Sequence, residues 1–149
     1  MIKVQLEDFN QQQEYEQLRH NASTGAIVTF TGLVRDISHG ERISALTLEH
    51  YPGMSEKILA EIVAQAKQRW SIIDCTVIHR VGELKLWEQI VFVGIASLHR
   101  RDAFASCEFI MDFLKTEAPF WKKEVNAQGK TYWLDGQKND QHALNKWKQ

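Results

Sequence analysis

What most constrains this chain is the order in which two hydrophobic periods follow one another. Residues 24–35 alternate as a strand does, with Ala26, Val28 and Phe30 set against Ile27, Thr29 and Thr31, and both faces are expected to be at least partly buried. Residues 43–51 form a second strand, separated from the first by a loop at Ser38, His39, Gly40 and Glu41. A helix over 55–70 follows, with Ser55 as its cap and Ile58, Leu59, Ile62, Val63, Ala66 and Trp70 on one face. Residues 73–81 and 89–98 return to strand period, joined by a connection at 82–88 that is longer than a tight hairpin turn. A second helix over 102–116 starts at Asp102 and must end near Ala118, because Pro119 biases the residue before it away from helix. A short strand at 131–134 and a polar tail from Gln137, either one helical turn or a loose end, complete the chain. Strands arrive in pairs rather than alternating singly with helices. The expected class is therefore α+β, with helices on a mostly antiparallel sheet, in one domain over residues 1–149.

Composition narrows function mainly by exclusion. A net charge of −1 provides no global basic field for nucleic acid, although a local basic pocket is still allowed. No apolar run approaches the roughly 20 residues that span a bilayer. Residues 1–6 alternate like a strand and lack a signal-peptide core, so a cytoplasmic location is expected. Cys75 and Cys107 lie in apolar settings without CxxC spacing and read as reduced core residues. His50, His79 and His99 stand near strand ends, but no metal-ligand spacing connects them, and no zinc site is expected. Phosphate-cradling, dinucleotide and nucleophile-elbow motifs are missing.

The candidate chemistry gathers around the second helix. On a helical wheel Phe104, Cys107, Ile110, Met111 and Leu114 form one apolar arc, and Lys115 falls about 20° past Phe104, at its edge. A lysine there either snorkels to water or is partly desolvated; the second case would lower its pKa and free the amine for proton transfer or nucleophilic work. The following stretch, from Ala118 to Glu124, reads as a proline-stiffened corner that holds Lys122 and Lys123 close after Lys115. Either an anion site or a solvated loop with aromatic anchors explains it. His99, Arg100 and Arg101 sit between a strand and a helix start, where cations oppose the dipole and an anion, Asp102 or a ligand, should compensate. Three function classes fit these features: a transferase with a lysine-centred anion pocket, a single-stranded RNA-binding module of the RRM kind, and another acyl- or phosphoryl-transfer enzyme using Lys115. The RNP pattern that the RNA module needs is lacking.

Four stretches, TGAIVTFTGLVR at 24–35, LTLEHYPGM at 46–54, VIHRVGEL at 77–84 and FIMDFLKTEAPFWKKE at 109–124, occur in an order that resembles the large, catalytic subunit family of molybdopterin synthase. The resemblance implies an α/β-hammerhead-type fold and a homodimer within a heterotetramer. It also implies a small ubiquitin-like sulfur-carrier partner whose Gly-Gly tail ends as a thiocarboxylate. The implied reaction moves sulfur from that tail to cyclic pyranopterin monophosphate, forming the dithiolene of molybdopterin with no metal or organic cofactor. Carried onto this chain, the resemblance makes Lys115 and Lys122 catalytic. Arg35, His99 and Arg100 become the anion-binding set, Leu33 and Val34 line the pocket by backbone, and Lys123 and Glu124 extend the binding stretch. Leu33 stands where relatives are often polar or small. Gln137 stands near the place from which some relatives reach an arginine across the dimer.

Overall fold

A computed structural model describes residues 1–38, 40–134 and 138–148. Two sheets meet at a seam. The first has the order β1-β5-β7-β2, built from β1 (Ile2–Gln5), β2 (Ala26–Leu33), β5 (Ile72–Arg80) and β7 (Gln89–Ser97). Only β1 and β5 run parallel; β5–β7 and β2–β7 are antiparallel. The second sheet centres on β4 (Glu41–His50), which pairs with β6 (Gly82–Lys85) on one edge and β8 (Phe120–Asn126) on the other. β9 (Thr131–Leu134) flanks β8, and a short β3 (Ile37–Ser38) pairs with the start of β4. The α+β, mostly antiparallel reading holds.

β5 and β7 are buried almost end to end because both faces of the first sheet are covered. On one side Cys75, Val77, Val91, Val93 and Ile95 pack against Leu59, Ile62 and Ala66 of α2 (Met54–Arg69) and Ala103, Cys107, Ile110 and Leu114 of α3 (Arg100–Glu117). The α3 set recurs every three or four residues, the spacing of one helical face. On the other side Phe9, Ile78 and Phe92 form a small cluster beneath α1 (Gln11–Leu18). Gly94 makes room there, since a Cβ would come within 2.6 Å of Leu18. β2 forms an edge, and Thr29, Phe30 and Leu33 are exposed on it; the expected burial of both faces fails where the covering helices end.

The differences from the sequence reading have local causes. α1 is polar apart from Tyr15 and Leu18, so no apolar stripe announces it; Asn10 caps it by accepting from the Gln13 N–H at 3.1 Å. The 82–88 connection contains strand β6, and the 118–124 corner is mostly strand β8. Each is stabilised by pairing with β4, a long-range partner that local pattern does not reveal. α2 starts at Met54, after Gly53, whose N–H donates to Glu56 Oε2 at 2.7 Å. The expected cap, Ser55, is instead buried one residue into the helix and donates to the Tyr51 carbonyl at 2.9 Å. The cap of α3 is His99; Asp102 lies in its first turn and accepts from the Ser71 N–H at 3.0 Å. Ala118 is extended, as the residue before proline should be. The tail folds as α4 (Lys138–Asn145), with Leu144 buried and the Trp147 Nε1–H donating to Asp112 at 2.6 Å. Gln137 lies outside the described residues. Cys75 and Cys107 are both free and buried, and burial pushes their thiols up to about 12 and about 11.

Candidate active site

The path of the chain decides which residues can meet. β7 rises from Gln89 to Ser97, the chain turns at Leu98 and His99, and α3 packs back across β2 and β7. Its last turn therefore returns to the Gln89 end of the sheet. β2, antiparallel to β7, brings Gly32 and Leu33 to that same end. After Pro119 the chain enters β8, which carries Phe120 and Lys122 along the seam, where β5 runs into β6 through Val81 and Gly82. A cleft of about 110 Å³ results, lined among others by Leu33, His79, Leu114, Lys115, Phe120 and Lys122. The two lysines taken from the sequence as catalytic thus line one cavity with Leu33, whose side chain is 52% exposed at its rim.

Lys115 is exposed, not desolvated, in the single chain. The wheel explains why. Phe104, which marked the apolar edge beside Lys115, is itself 62% exposed, so the buried face stops short of both, at Ala103, Cys107, Ile110 and Leu114. Lys123 and Lys122 are consecutive on a strand and point to opposite faces. Lys122 faces the cleft, whereas the Lys123 ammonium lies 5.4 Å from the Trp133 ring centre on the other face. Glu124 returns to the Lys122 side. It is 4% exposed, and its Oε1 meets no hydrogen-bond partner among the described residues.

Val34 has no spare N–H for a ligand. Its N–H donates to the Glu88 carbonyl at 3.0 Å, its own carbonyl accepts from the Trp87 N–H at 2.8 Å, and its side chain is buried with Ile43, Leu46, Leu48 and Leu84. Arg35 follows it, exposed, two residues beyond the Leu33 rim. His99 and Arg100 are exposed at the opposite end of α3. From position 100 to position 115 is fifteen steps of about 1.5 Å, so roughly 22 Å of helix separates Arg100 from Lys115. Within one chain the anion set is split between two places.

His79 was considered in the sequence only as a metal ligand, yet it forms part of the cleft wall. It is 4% exposed, its ring stacks on Phe120 with centres 3.8 Å apart and planes 9° apart, and its Nδ1–H donates to the Arg80 carbonyl at 2.8 Å. Burial, joined by Lys122, Lys115 and His50, lowers its pKa to about 4 despite that hydrogen bond. His79 is therefore neutral near pH 7. A histidine directly after the apolar pair Val77 and Ile78 was the available signal. Next to it Arg80 is buried and structural: its guanidinium donates to the Leu6 carbonyl at 3.0 and 3.1 Å, to the Gln89 carbonyl at 3.0 Å and to Glu88 at 3.3 Å. Among the described residues no group of three or more His, Cys, Asp or Glu is placed to hold a metal ion. No helix among them is long and apolar enough to cross a membrane.

Comparison with known proteins places the chain in a family. A catalytic subunit of molybdopterin synthase from Vibrio cholerae is 50% identical over 146 residues, covering 98% of this chain and 97% of its own. Among solved structures, the molybdopterin biosynthesis MoaE protein of Burkholderia ambifaria superposes with a TM-score of 0.85 at 48% identity, covering 100% of this chain and 98% of that one. Molybdopterin synthase from Staphylococcus aureus superposes with a TM-score of 0.81 at 31% identity, covering 89% and 95%. The family model described as MoaE protein matches residues 4–117, and the chain belongs to that family.

Proposed function

We propose that this chain is the catalytic subunit of a cytoplasmic molybdopterin synthase, a sulfurtransferase. It takes sulfur from the C-terminal thiocarboxylate of a small ubiquitin-like carrier and places it on cyclic pyranopterin monophosphate. The observation that carries the reading is the convergence of Lys115 and Lys122, from α3 and β8, on one cleft with Leu33 at its rim. Both reactants are anions, and two ammonium groups on partly apolar walls hold them together against their repulsion. Lys115, on the exposed side, reaches the reacting carbon and moves the proton as the carbon–sulfur bond forms. Lys122 holds phosphate.

At about 110 Å³ the cleft is smaller than the roughly 300–1,000 Å³ of a ligand pocket that encloses its guest. Other chains must complete it. The carrier's glycine tail supplies one wall, being slim enough to thread a narrow entrance. Arg35 stands close enough to the Leu33 rim to bind an anion there. His99 and Arg100, some 22 Å away along α3, serve the same substrate only from a second copy of the chain. The exposed Phe104, one turn beyond Arg100, marks a face on which that copy can pack. The RNA-binding alternative has no support left once the family is known.

The test is incubation with pyranopterin monophosphate and thiocarboxylated carrier, followed by a dithiolene assay. Product is expected with the intact carrier and none with a carrier lacking its last two residues. Turnover with the truncated carrier would refute the tail-threading scheme.

A further inference from the structure

His79 is not accounted for by the scheme above, which uses only charged groups. Its environment is specific. The Nδ1–H is committed to the Arg80 carbonyl at 2.8 Å, which selects the tautomer with a bare Nε2 lone pair. The ring is held flat against Phe120, so it cannot swing. It lines the same cleft as Lys115 and Lys122. Strand alternation on β8 puts Phe120 and Lys122 on the same face, with Phe120 directly on the imidazole. Of the charges around the ring, that of Lys122 acts on it most strongly.

We propose that His79 is a positioning residue: its Nε2 accepts a hydrogen bond from the Lys122 ammonium and fixes that ammonium in the cleft. Three properties fit the task. An imidazole that stays neutral accepts from an ammonium instead of repelling it, and with a pKa of about 4 this one stays neutral across the working range. The charged groups facing it, Lys122, Lys115 and the neighbouring His50, all act against its protonation. Its place at the seam also ties the position of a β8 side chain to β5, a strand of the other sheet, beside the cleft. The inference rests on the proposed sulfur-transfer reading for its kinetic arm only.

Two arms test it. In the first, His79→Asn retains a donor for the Arg80 carbonyl but has no acceptor at the Nε2 position, His79→Phe retains the stack alone, and His79→Gln restores an oxygen near Nε2. With folding verified by circular dichroism, turnover in the Asn and Phe variants should fall about tenfold or more, mainly in kcat, and Gln should exceed Asn by at least about fivefold. Folded Asn and Phe variants with unchanged kcat, or a Gln variant no better than Asn, would overturn the proposal. The second arm needs no activity. In the full-length protein the ¹⁵N resonance of His79 Nε2 should show a hydrogen-bonded acceptor near pH 7 and shift towards a free lone pair in Lys122→Met. An unchanged resonance in that variant overturns the proposal. If wild-type protein makes no dithiolene, the sulfur-transfer reading fails and the resonance alone decides the role of His79.

Discussion

The two ends of α3 are built from the same helix and the same kinds of residue, yet they differ in what surrounds them. At the C-terminal end Lys115 meets β2, β5 and β8, and a cleft forms within one chain. At the N-terminal end His99 and Arg100 are exposed, with Leu98 and Phe104 exposed beside them. One end brings its cations against structure that the chain itself supplies; the other presents cations and apolar surface with no counterpart among the described residues. The difference teaches that a list of cations along a sequence does not make a site. What assembles them here is the return of α3 to the Gln89 end of the sheet and the pairing of β8 with β4.

The comparison breaks most sharply at Lys115. Replacement by Ala or by Arg should lower turnover by at least about a hundredfold, the range of general acid–base catalysis, because Arg retains the charge but does not readily release a proton. Since Lys115 is exposed, fold and carrier binding should survive in both variants. An active Arg variant in the dithiolene assay would reduce Lys115 to an anchor.

Acid should expose the buried side of the cleft next. The pKa of His79 falls from 6.5 in the open chain to about 4 in the fold. The unfolded chain then binds a proton that the native chain refuses, so this contribution is fully present above pH 6.5 and is lost as pH falls towards 4. The shift is 6.5 − 4, and at about 1.36 kcal/mol per unit it amounts to roughly 3 kcal/mol. Denaturation of wild type and His79→Phe between pH 7 and pH 4 measures it; equal slopes would show that His79 is not held neutral.

The open end of α3 should give smaller, binding-type effects. His99→Ala, Arg100→Ala and Arg35→Ala should each weaken substrate affinity about ten- to a hundredfold, the value of one charge-assisted hydrogen bond. Titration of substrate against each variant checks this, and unchanged affinity with lost maximal rate in all three would contradict it. Mixing Arg100→Ala with Lys115→Ala sharpens the point. If the two ends meet across copies, exchanged subunits should regain part of the activity that each variant lacks. Mixed protein no more active than its components would leave the two ends unconnected. The smallest effect belongs to Lys123, turned to the Trp133 face. Lys123→Ala should cost about 0.5–1 kcal/mol of stability in a denaturant titration and change turnover least of all the cations named.

Much of this was legible in the sequence. Apolar period located β4, β5, β7, α2 and α3, because each buries residues at a spacing that is a local property, and it located β2 too, although that edge strand is only partly covered. Pro119 fixed the end of α3 for the same reason: its effect reaches only one residue back. Motif resemblance singled out Lys115 and Lys122, and the fold brought them together. What the sequence could not show rests on long-range contact. β6 and β8 are strands because β4 lies between them, and pairing with a segment tens of residues away leaves no local period. Strand alternation, once β8 is known, is what separates Lys123 from Lys122. The exposure of Lys115 depended on where the helical face stops touching the sheet, which a wheel cannot mark. The commitment of the Val34 N–H and carbonyl depends on the turn at Trp87 and Glu88, which no local pattern marks. A histidine's protonation state depends on the depth of its burial and on the charges around it, and for His79 only the packing of β8, α3 and β4 around β5 supplied both.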